Sequence, residues 1–356
     1  MKERKYSDQI NIENEQKLRA LVAELPRFCR EYFIGIEPST SSRTRIAYAY
    51  DLGVFFHYLH ENNAAMAKME IIDFPIDILE QITPMDIEEY LQYLKLYHHR
   101  GKEYTNDERG QMRKLACLRS FYNYFFRKEI IEKNPAALVK MPKQHEKNIV
   151  RLDVDEIAIL LDEAESGEKL TERQKIYHNK TKKRDVAILT LLLGTGIRVS
   201  ECVGLDLNDI DPKNNGIKVH RKGGSEVMVY FGDEVAEALD AYLDERLEME
   251  PKAGSTEAVF LSMQNKRINV RSVENLVKKY SRLVTTVKNI TPHKLRSTYG
   301  TTLYQETGDI YLVADVLGHK DVNTTKKHYA AQADSRRRMA AKAVRLREKQ
   351  PESEEE

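Results

Sequence analysis

Hydrophobic residues in the first 140 positions recur at the spacing of amphipathic helices. Ser39–Ser42 and Thr83-Pro84 supply N-cap residues ahead of two of the predicted helices. The aromatic residues of the last long helix are predicted to belong to the core rather than to a base-stacking surface. No alternating strand pattern is present, so this half is predicted to be an all-helical domain. The predicted helices span residues 14–32, 46–59, 87–97 and 108–128, with a short helix after Asn134-Pro135.

The second half is predicted to be mostly helical with a small antiparallel β-sheet. Two runs rich in strand-forming residues, 217–219 and 227–231, flank Gly223-Gly224-Ser225 and predict a hairpin. A charged insertion, residues 165–183, is interpreted as a solvated loop, with contact to DNA or to a neighbouring subunit as the alternative. The predicted helices span residues 154–164, 185–193, 234–249, 270–285, 298–306, 310–317 and 323–347.

These patterns divide the chain into two domains joined by a polar segment. The first domain covers residues 1–140, the linker 141–151 and the second domain 152–347. The linker contains a proline and lacks apolar periodicity. The remaining residues, 348–356, form an acidic tail that we expect to be disordered.

Composition narrows the class of protein. The 356 residues include 57 Lys+Arg and 56 Asp+Glu, for a net charge of +1. Cys29, Cys117 and Cys202 lie far apart, which argues against a disulfide scaffold and a cysteine zinc site. The longest apolar run, Val186–Leu193, is too short to span a membrane, and the polar N-terminus does not resemble a signal peptide. We therefore expect a soluble cytoplasmic protein. A basic stretch before the acidic tail is compatible with nucleic-acid binding or with a solvated helix face.

The second half contains a set of residues suited to phosphodiester chemistry. Arginine donates bidentate, charge-assisted hydrogen bonds to phosphate oxygens. Tyrosine is a weak nucleophile, with a pKa near 10, and needs an electropositive pocket or a base. Each residue alone has an ordinary structural explanation as a cap, turn or core residue, so the specificity lies in the ordered set. Its members are Arg198, Lys222, His293, Arg296, His319 and Tyr329.

The sequences TGIRVSE, HRKGG, TPHKLRST, LGHKD and KKHYA place this set in the order typical of the tyrosine recombinase, or phage integrase, family. The layout is similar to that of Xer-type site-specific recombinases. The resemblance is strong over residues 150–345 and weaker over 15–140. Many relatives have histidine where this chain has Ser297, which leaves the six positions intact. The family implies an N-terminal helical core-binding (SAM-like) domain and a C-terminal catalytic domain that close around duplex DNA.

The resemblance also implies roles for individual residues. Tyr329 would form a 3′-phosphotyrosyl intermediate while Lys222 protonates the leaving 5′-hydroxyl. Glu201 would orient Arg198, with an ordinary helix-face carboxylate as the alternative. The helix after Tyr329 would dock on a neighbouring subunit or pack on its own. Residues proposed only as phosphate contacts are Arg43, Arg45, Arg109 and Arg113.

The implied activity is metal- and ATP-independent recombination, without a cofactor, by a homo-tetramer on paired DNA sites through a Holliday junction. Xer-like chromosome dimer resolution would place the protein in the cytoplasm, nucleoid-associated in a prokaryote, with an accessory recombination or division protein as a compatible partner. Integration or excision of a phage or mobile element is the alternative with the same chemistry. A catalytically silent, DNA-binding architectural protein is an alternative of another class, as is a helical scaffold that binds no nucleic acid.

Overall fold

A computed structural model of the chain describes residues 6–143, 150–221, 224–319 and 321–322. Contacts divide the chain into two compact units, Met1–Lys147 and Asn148–Glu356. The boundary falls within the segment assigned to the linker from sequence. Outside the described residues lie Lys222, Tyr329, the predicted helix 323–347 and the acidic tail.

The first unit is a helical bundle with one small hairpin among its described residues. A single hydrophobic cluster contains buried residues from its long helices and from the segments between them. The elements are α1 (Tyr6–Val22), α2 (Cys29–Ile36), α3 (Ser42–Asn62), α4 (Ile78–Gln81), α5 (Pro84–Tyr93), β1 (Tyr97–His99), β2 (Lys102–Tyr104), α6 (Glu108–Arg127) and α7 (Pro135–Leu138).

The predicted caps determine where α3 and α5 begin. Ser41 lies one residue before the first helical position of α3. Its hydroxyl accepts a hydrogen bond from the backbone N–H of Thr44 at 3.3 Å. At α5, Thr83 and Asp86 form a reciprocal capping box, and Pro84 occupies the first helical position. The cap predictions at these two helices are confirmed.

The single helix predicted over residues 14–32 is wrong, because a non-helical break separates α1 from α2. Pro26 lies in the break, where it lacks the N–H that a helix interior needs and disfavours a helical conformation at Leu25. The Leu25 N–H instead bonds to the Val22 carbonyl in a tight turn. The apolar spacing continued across the break, so periodicity alone could not reveal it.

The prediction that this half is all-helical is also wrong, because β1 and β2 pair antiparallel from Tyr97–Tyr104 to His99–Lys102. The turn residues Arg100 and Gly101 have φ of 50° and 71°, the signs required by a tight two-residue hairpin turn. Strands of this length show too little alternation to be detected in sequence. Helix α5 consequently ends at Tyr93, before the predicted position 97.

Aromatic residues of α6 form much of the first unit's core. Phe121, Tyr122 and Phe125 are essentially inaccessible to solvent. The Phe121 ring lies 5.1 Å from Phe125 and 6.0 Å from Phe56, both in edge-to-face geometry, which aromatic quadrupoles favour. These contacts confirm the core assignment, except that Phe126 remains 45% exposed.

The described part of the second unit is mostly helical, with one three-stranded antiparallel sheet. The hairpin of β4 and β5 was predicted, with Ile217 opposite Val229, whereas β3 on its other edge was not. Helix α13 begins at Pro292, six residues before the predicted start. The elements are α8 (Val154–Ser166), α9 (Glu172–Thr195), α10 (Val199–Gly204), β3 (Ile210–Asp211), β4 (Gly216–His220), β5 (Glu226–Tyr230), α11 (Asp233–Glu248), α12 (Val270–Val284), α13 (Pro292–Thr307) and α14 (Ile310–Leu317).

The interpretation of residues 165–183 as a solvated loop is wrong, because residues from Glu172 onward form the first half of α9. The inward face of this half-helix is polar. His178 Nδ1 lies 3.0 Å from the Tyr280 hydroxyl, which in turn donates to Asp185 at 3.1 Å. Burial and the nearby Asp185 carboxylate raise the pKa of Tyr280, so its hydroxyl remains a donor. Apolar periodicity was absent because hydrogen bonds, rather than hydrocarbon contacts, attach this segment to α12.

Replacing Phe121 by alanine should lower the free energy of unfolding by about 3–5 kcal/mol, because it leaves a cavity among packed rings. Phe126→Ala, on the same helix but 45% exposed, is the matched control and should cost less than about 1 kcal/mol. Urea denaturation of the full chain followed by circular dichroism measures both. Equal losses in the two variants would contradict the described core.

Candidate active site

Arg198 lies at the start of α10 and is bonded to Glu201 at two points. Its backbone N–H donates to Glu201 Oε2 at 2.7 Å, and its Nη1 donates to Oε1 at 2.8 Å. The Glu201 side chain is 4% exposed and that of Arg198 is 36% exposed. The carboxylate therefore fixes both ends of the arginine while part of the guanidinium faces solvent. This geometry favours the orienting role over the helix-face alternative for Glu201.

The segment before Arg198 depends on a glycine in the left-handed conformation. Helix α9 ends at Gly196, whose φ is 63°. A side chain at this position would overlap the Tyr299 ring from α13. Glycine is therefore needed for both conformation and space, and it brings α13 close to the Arg198 segment.

Arg296 occupies the second turn of α13 and is buried, with 5% exposure. Its Nη1 donates to the Gly196 carbonyl at 2.6 Å, and its Nη2 donates to the Leu317 carbonyl. His293 lies one turn earlier on the same helix, where its side chain is exposed. Residues three apart lie on one helix face, but Arg296 is buried and His293 is exposed, so their joint contact with one phosphate stays a prediction.

His319 follows a C-terminal cap at the end of α14. Gly318, with φ of 61°, donates its N–H to the Asp315 carbonyl at 2.8 Å, and the His319 N–H reaches Ala314 at 2.9 Å. This pair of bonds is the Schellman motif, which fixes the two residues after a helix. The backbone of His319 is thus held by α14 itself.

Guanidinium groups from three separate segments bind the carbonyl groups at this helix end. Arg221 donates to Asp315 at 3.2 Å and to Val316 at 2.7 Å. Arg296 donates to Leu317, and Arg198 Nη2 lies 3.4 Å from the Gly318 carbonyl. Carbonyl groups of a last helical turn lack intrahelical partners, and positive charge there is stabilised by the helix dipole.

The described site thus brings Arg198, Arg296 and the turn carrying His319 into direct contact, with His293 on the adjoining turn of α13. Lys222 and Tyr329 lie outside the described residues. Sequence analysis did not single out Arg221, since its partners lie 94 and 95 residues away and no local pattern signals them.

The cysteine next to Glu201 is buried. Burial raises the pKa of the Cys202 thiol, next to Glu201, to about 12, so it remains protonated and unreactive at neutral pH. Within the described part of the chain, no group of three His, Cys, Asp or Glu side chains could hold a metal ion. None of the helices in the described ranges is long and apolar enough to cross a membrane.

The arginines proposed as phosphate contacts in the first unit differ in exposure. Arg43 and Arg109 are exposed, and Arg113 is half exposed while it pairs with the buried Asp51. Arg45 is 7% exposed and pairs with Glu15 and Glu37, so little of its guanidinium can reach a phosphate.

Comparisons with known proteins show the family of this chain. The phage integrase family matches residues 150–336. Tyrosine recombinase XerC of Caldanaerobacter subterraneus subsp. tengcongensis is 34% identical over 306 residues, 83% of this chain and 79% of that protein. Tyrosine recombinase XerD of Staphylococcus epidermidis is 31% identical over 294 residues, 83% of this chain and 90% of that protein.

Solved structures share the fold. The Tn1549 transposon integrase in complex with circular intermediate DNA gives a TM-score of 0.62 at 20% identity, covering 89% of this chain and 99% of that one. XerH bound to a palindromic difH substrate, in a post-cleavage complex, gives a TM-score of 0.61 at 19% identity, covering 81% of this chain and 75% of that one.

Gly318→Ala should destabilise the chain more than Gly254→Ala does. Both glycines have positive φ, which costs an alanine about 1–2 kcal/mol. A Cβ at Gly254 meets open space, whereas one at Gly318 overlaps the Arg221 guanidinium. Thermal denaturation of Gly318→Ala, Arg221→Ala and the double variant should reveal a coupling of about 0.5–3 kcal/mol. Additive effects would contradict the described contact.

Proposed function

The chain belongs to the phage integrase family of tyrosine recombinases, and from this premise we propose that it cuts and rejoins duplex DNA through a 3′-phosphotyrosyl intermediate. One observation carries the proposal. Arg198 and Arg296 both bind the main chain of the turn formed by Leu317 and Gly318, directly before His319. Their guanidinium groups therefore meet beside a histidine, as a clamp for one phosphate requires.

Charge stabilisation is the main task of this clamp. Attack on a phosphodiester places negative charge on the non-bridging oxygens, and prepositioned guanidinium groups stabilise that charge without reorganising. Glu201 keeps Arg198 oriented from two sides. His293 and His319 add hydrogen bonds to the same phosphate. Because these cations and histidines supply the charge stabilisation, no metal ion is needed.

Tyr329 and Lys222 complete the reaction. The Tyr329 hydroxyl loses its proton to a base or to water and its oxygen bonds to phosphorus as the bond to the 5′-oxygen breaks. Lys222 gives the leaving 5′-oxygen its proton. The phosphotyrosine conserves the energy of the broken bond, so rejoining by a 5′-hydroxyl needs no ATP. Strand exchange then requires two DNA sites, four subunits and a Holliday junction.

The biological role that best fits is Xer-like resolution of chromosome dimers. The curated relatives that match most of this chain are named XerC and XerD, and the match spans both units. An integrase of a mobile element has the same chemistry and fold, so the two roles differ only in the DNA site that is cut.

Wild-type protein should form a covalent complex with a nicked suicide duplex in EDTA, and Tyr329→Phe should form none. Loss of the short strand beyond the nick removes the 5′-hydroxyl and traps the phosphotyrosine. Denaturing electrophoresis of duplexes tiled across the DNA next to the gene provides the readout. A gel shift without any covalent band would favour the silent DNA-binding alternative. The absence of a shift even at low salt would favour a scaffold that binds no nucleic acid.

Arg198→Ala should slow single-turnover cleavage by about 10²–10³-fold, the usual effect of removing one donor to a developing anion. Arg271→Ala on α12 is the matched control, because Arg271 also pairs with a glutamate three residues later but is 77% exposed. That control should cleave at the wild-type rate. Equal rates for the two variants would remove Arg198 from the clamp.

A further inference from the structure

Arg221 joins the β4–β5 turn to the end of α14. Its backbone belongs to the turn: the Arg221 N–H donates to the Ser225 carbonyl at 2.8 Å, and its carbonyl accepts the Gly224 N–H at 3.1 Å. These two bonds fix the Arg221 backbone against Gly224 and Ser225, and Arg221 directly precedes Lys222 in the sequence. The conformation of Arg221 therefore determines the point from which the chain continues to Lys222.

The side chain of Arg221 is fixed by α14. One Nη donates to the Asp315 carbonyl at 3.2 Å and the other to the Val316 carbonyl at 2.7 Å. The planar fork of arginine matches two successive carbonyl groups, which a lysine ammonium cannot span in the same way. The buried Arg221 Nε has no hydrogen-bond partner among the described residues, so the guanidinium gives up one hydrogen bond to occupy this position.

Capping of α14 alone does not account for this arrangement. Arg296 and Arg198 already bind the carbonyl groups of Leu317 and Gly318, and the Schellman bonds hold the end of the helix. What Arg221 adds is a link between two segments more than 90 residues apart, one leading into Lys222 and the other into His319. Gly318 leaves the space that this link occupies.

We propose that Arg221 is a positioning residue that ties the chain leading into Lys222 to the end of α14, so that Lys222 and His319 act on one phosphate. The inference rests on the proposed function, in which Lys222 protonates the leaving 5′-oxygen. Without the link, the β4–β5 turn keeps its own backbone bonds but loses its fixed position relative to α14. The general acid is then misplaced, whereas the arginine clamp remains.

The test compares two nicked duplexes that differ in one atom. In the second duplex, sulfur replaces the scissile 5′-oxygen, and a thiolate leaves without needing a proton. Arg221→Met, which keeps the aliphatic stem, should slow single-turnover cleavage of the oxygen duplex by roughly 10–100-fold, part of the usual contribution of a general acid. Cleavage of the sulfur duplex should fall less than about 3-fold, since the thiolate makes the acid unnecessary. Arg221→Lys should behave like Arg221→Met, because it keeps the charge but not the fork.

Three control variants fix the meaning of the result. Lys222→Ala should show the same rescue by sulfur, and Arg198→Ala should be slow on both duplexes. Lys218→Met removes a partly exposed cation from β4, the strand that leads to Arg221, and should leave both rates unchanged. Melting temperatures identify any variant that fails to fold. Arg221→Lys is included because it retains most of the side-chain volume and should therefore fold.

Several outcomes would overturn the inference. Equal slowing of Arg221→Met on both duplexes would mean that Arg221 supports the phosphate clamp rather than the acid. Unchanged rates would reduce Arg221 to a helix cap. Loss of rescue in Lys222→Ala would remove the acid role on which the inference depends. Failure of the wild-type protein to cleave either duplex would contradict the proposed function itself, a result distinct from all the others.

Discussion

The described site depends on arginine side chains that bind main-chain carbonyl groups at the end of α14. Arg221, Arg296 and Arg198 bind four successive residues there, and each arginine comes from a different segment. The helix end supplies partial negative charge and carbonyl oxygens with spare lone pairs. The arginines bind these oxygens, and the negative charge offsets the repulsion between the arginines. One short turn thereby sets the positions of groups that are far apart in sequence. Left-handed glycines at 196 and 318 make the close approach sterically feasible.

Contacts elsewhere in the second unit fix the position of α9, the helix that leads into Arg198. Helix α9 leads into Gly196 and Arg198 at its C-terminal end, and near its middle it is attached to α12 through Asp185 and Tyr280. Arg184 bonds to the same carboxylate and to the Leu261 carbonyl, which adds a third segment. Such a buried network is stable only when each member is paired, so it specifies one position of the helix. His178, in the half of α9 that was interpreted as a solvated loop, lies 3.0 Å from the Tyr280 hydroxyl and adds to the attachment of α9 to α12.

Sequence alone predicted what local chemistry determines. The caps at Ser41 and Thr83, the β4–β5 hairpin and the limits of α14 follow from neighbouring residues. The phosphate-binding set, inferred from the order of its members along the chain, stays a prediction. The β1–β2 hairpin was missed because its strands are too short for periodicity. The α9 extension was missed because its inward face is polar. The hydrogen bonds from Arg221 and Arg198 to the end of α14 join residues that are 94 to 120 positions apart in sequence. They result from packing, which leaves no local signal in the sequence.

The two arginines of the proposed clamp differ in how readily they can turn to a phosphate. Arg296 is 5% exposed and donates to Gly196 at 2.6 Å as well as to Leu317, so moving it would leave buried carbonyl groups unpaired. The Arg198 side chain is 36% exposed, and its contact with the Gly318 carbonyl is long, at 3.4 Å. A charged phosphate oxygen is the stronger acceptor, and Glu201 holds Arg198 while its free edge turns. On the proposed function, DNA therefore replaces a carbonyl partner first at Arg198, while Arg296 keeps the His319 turn in place.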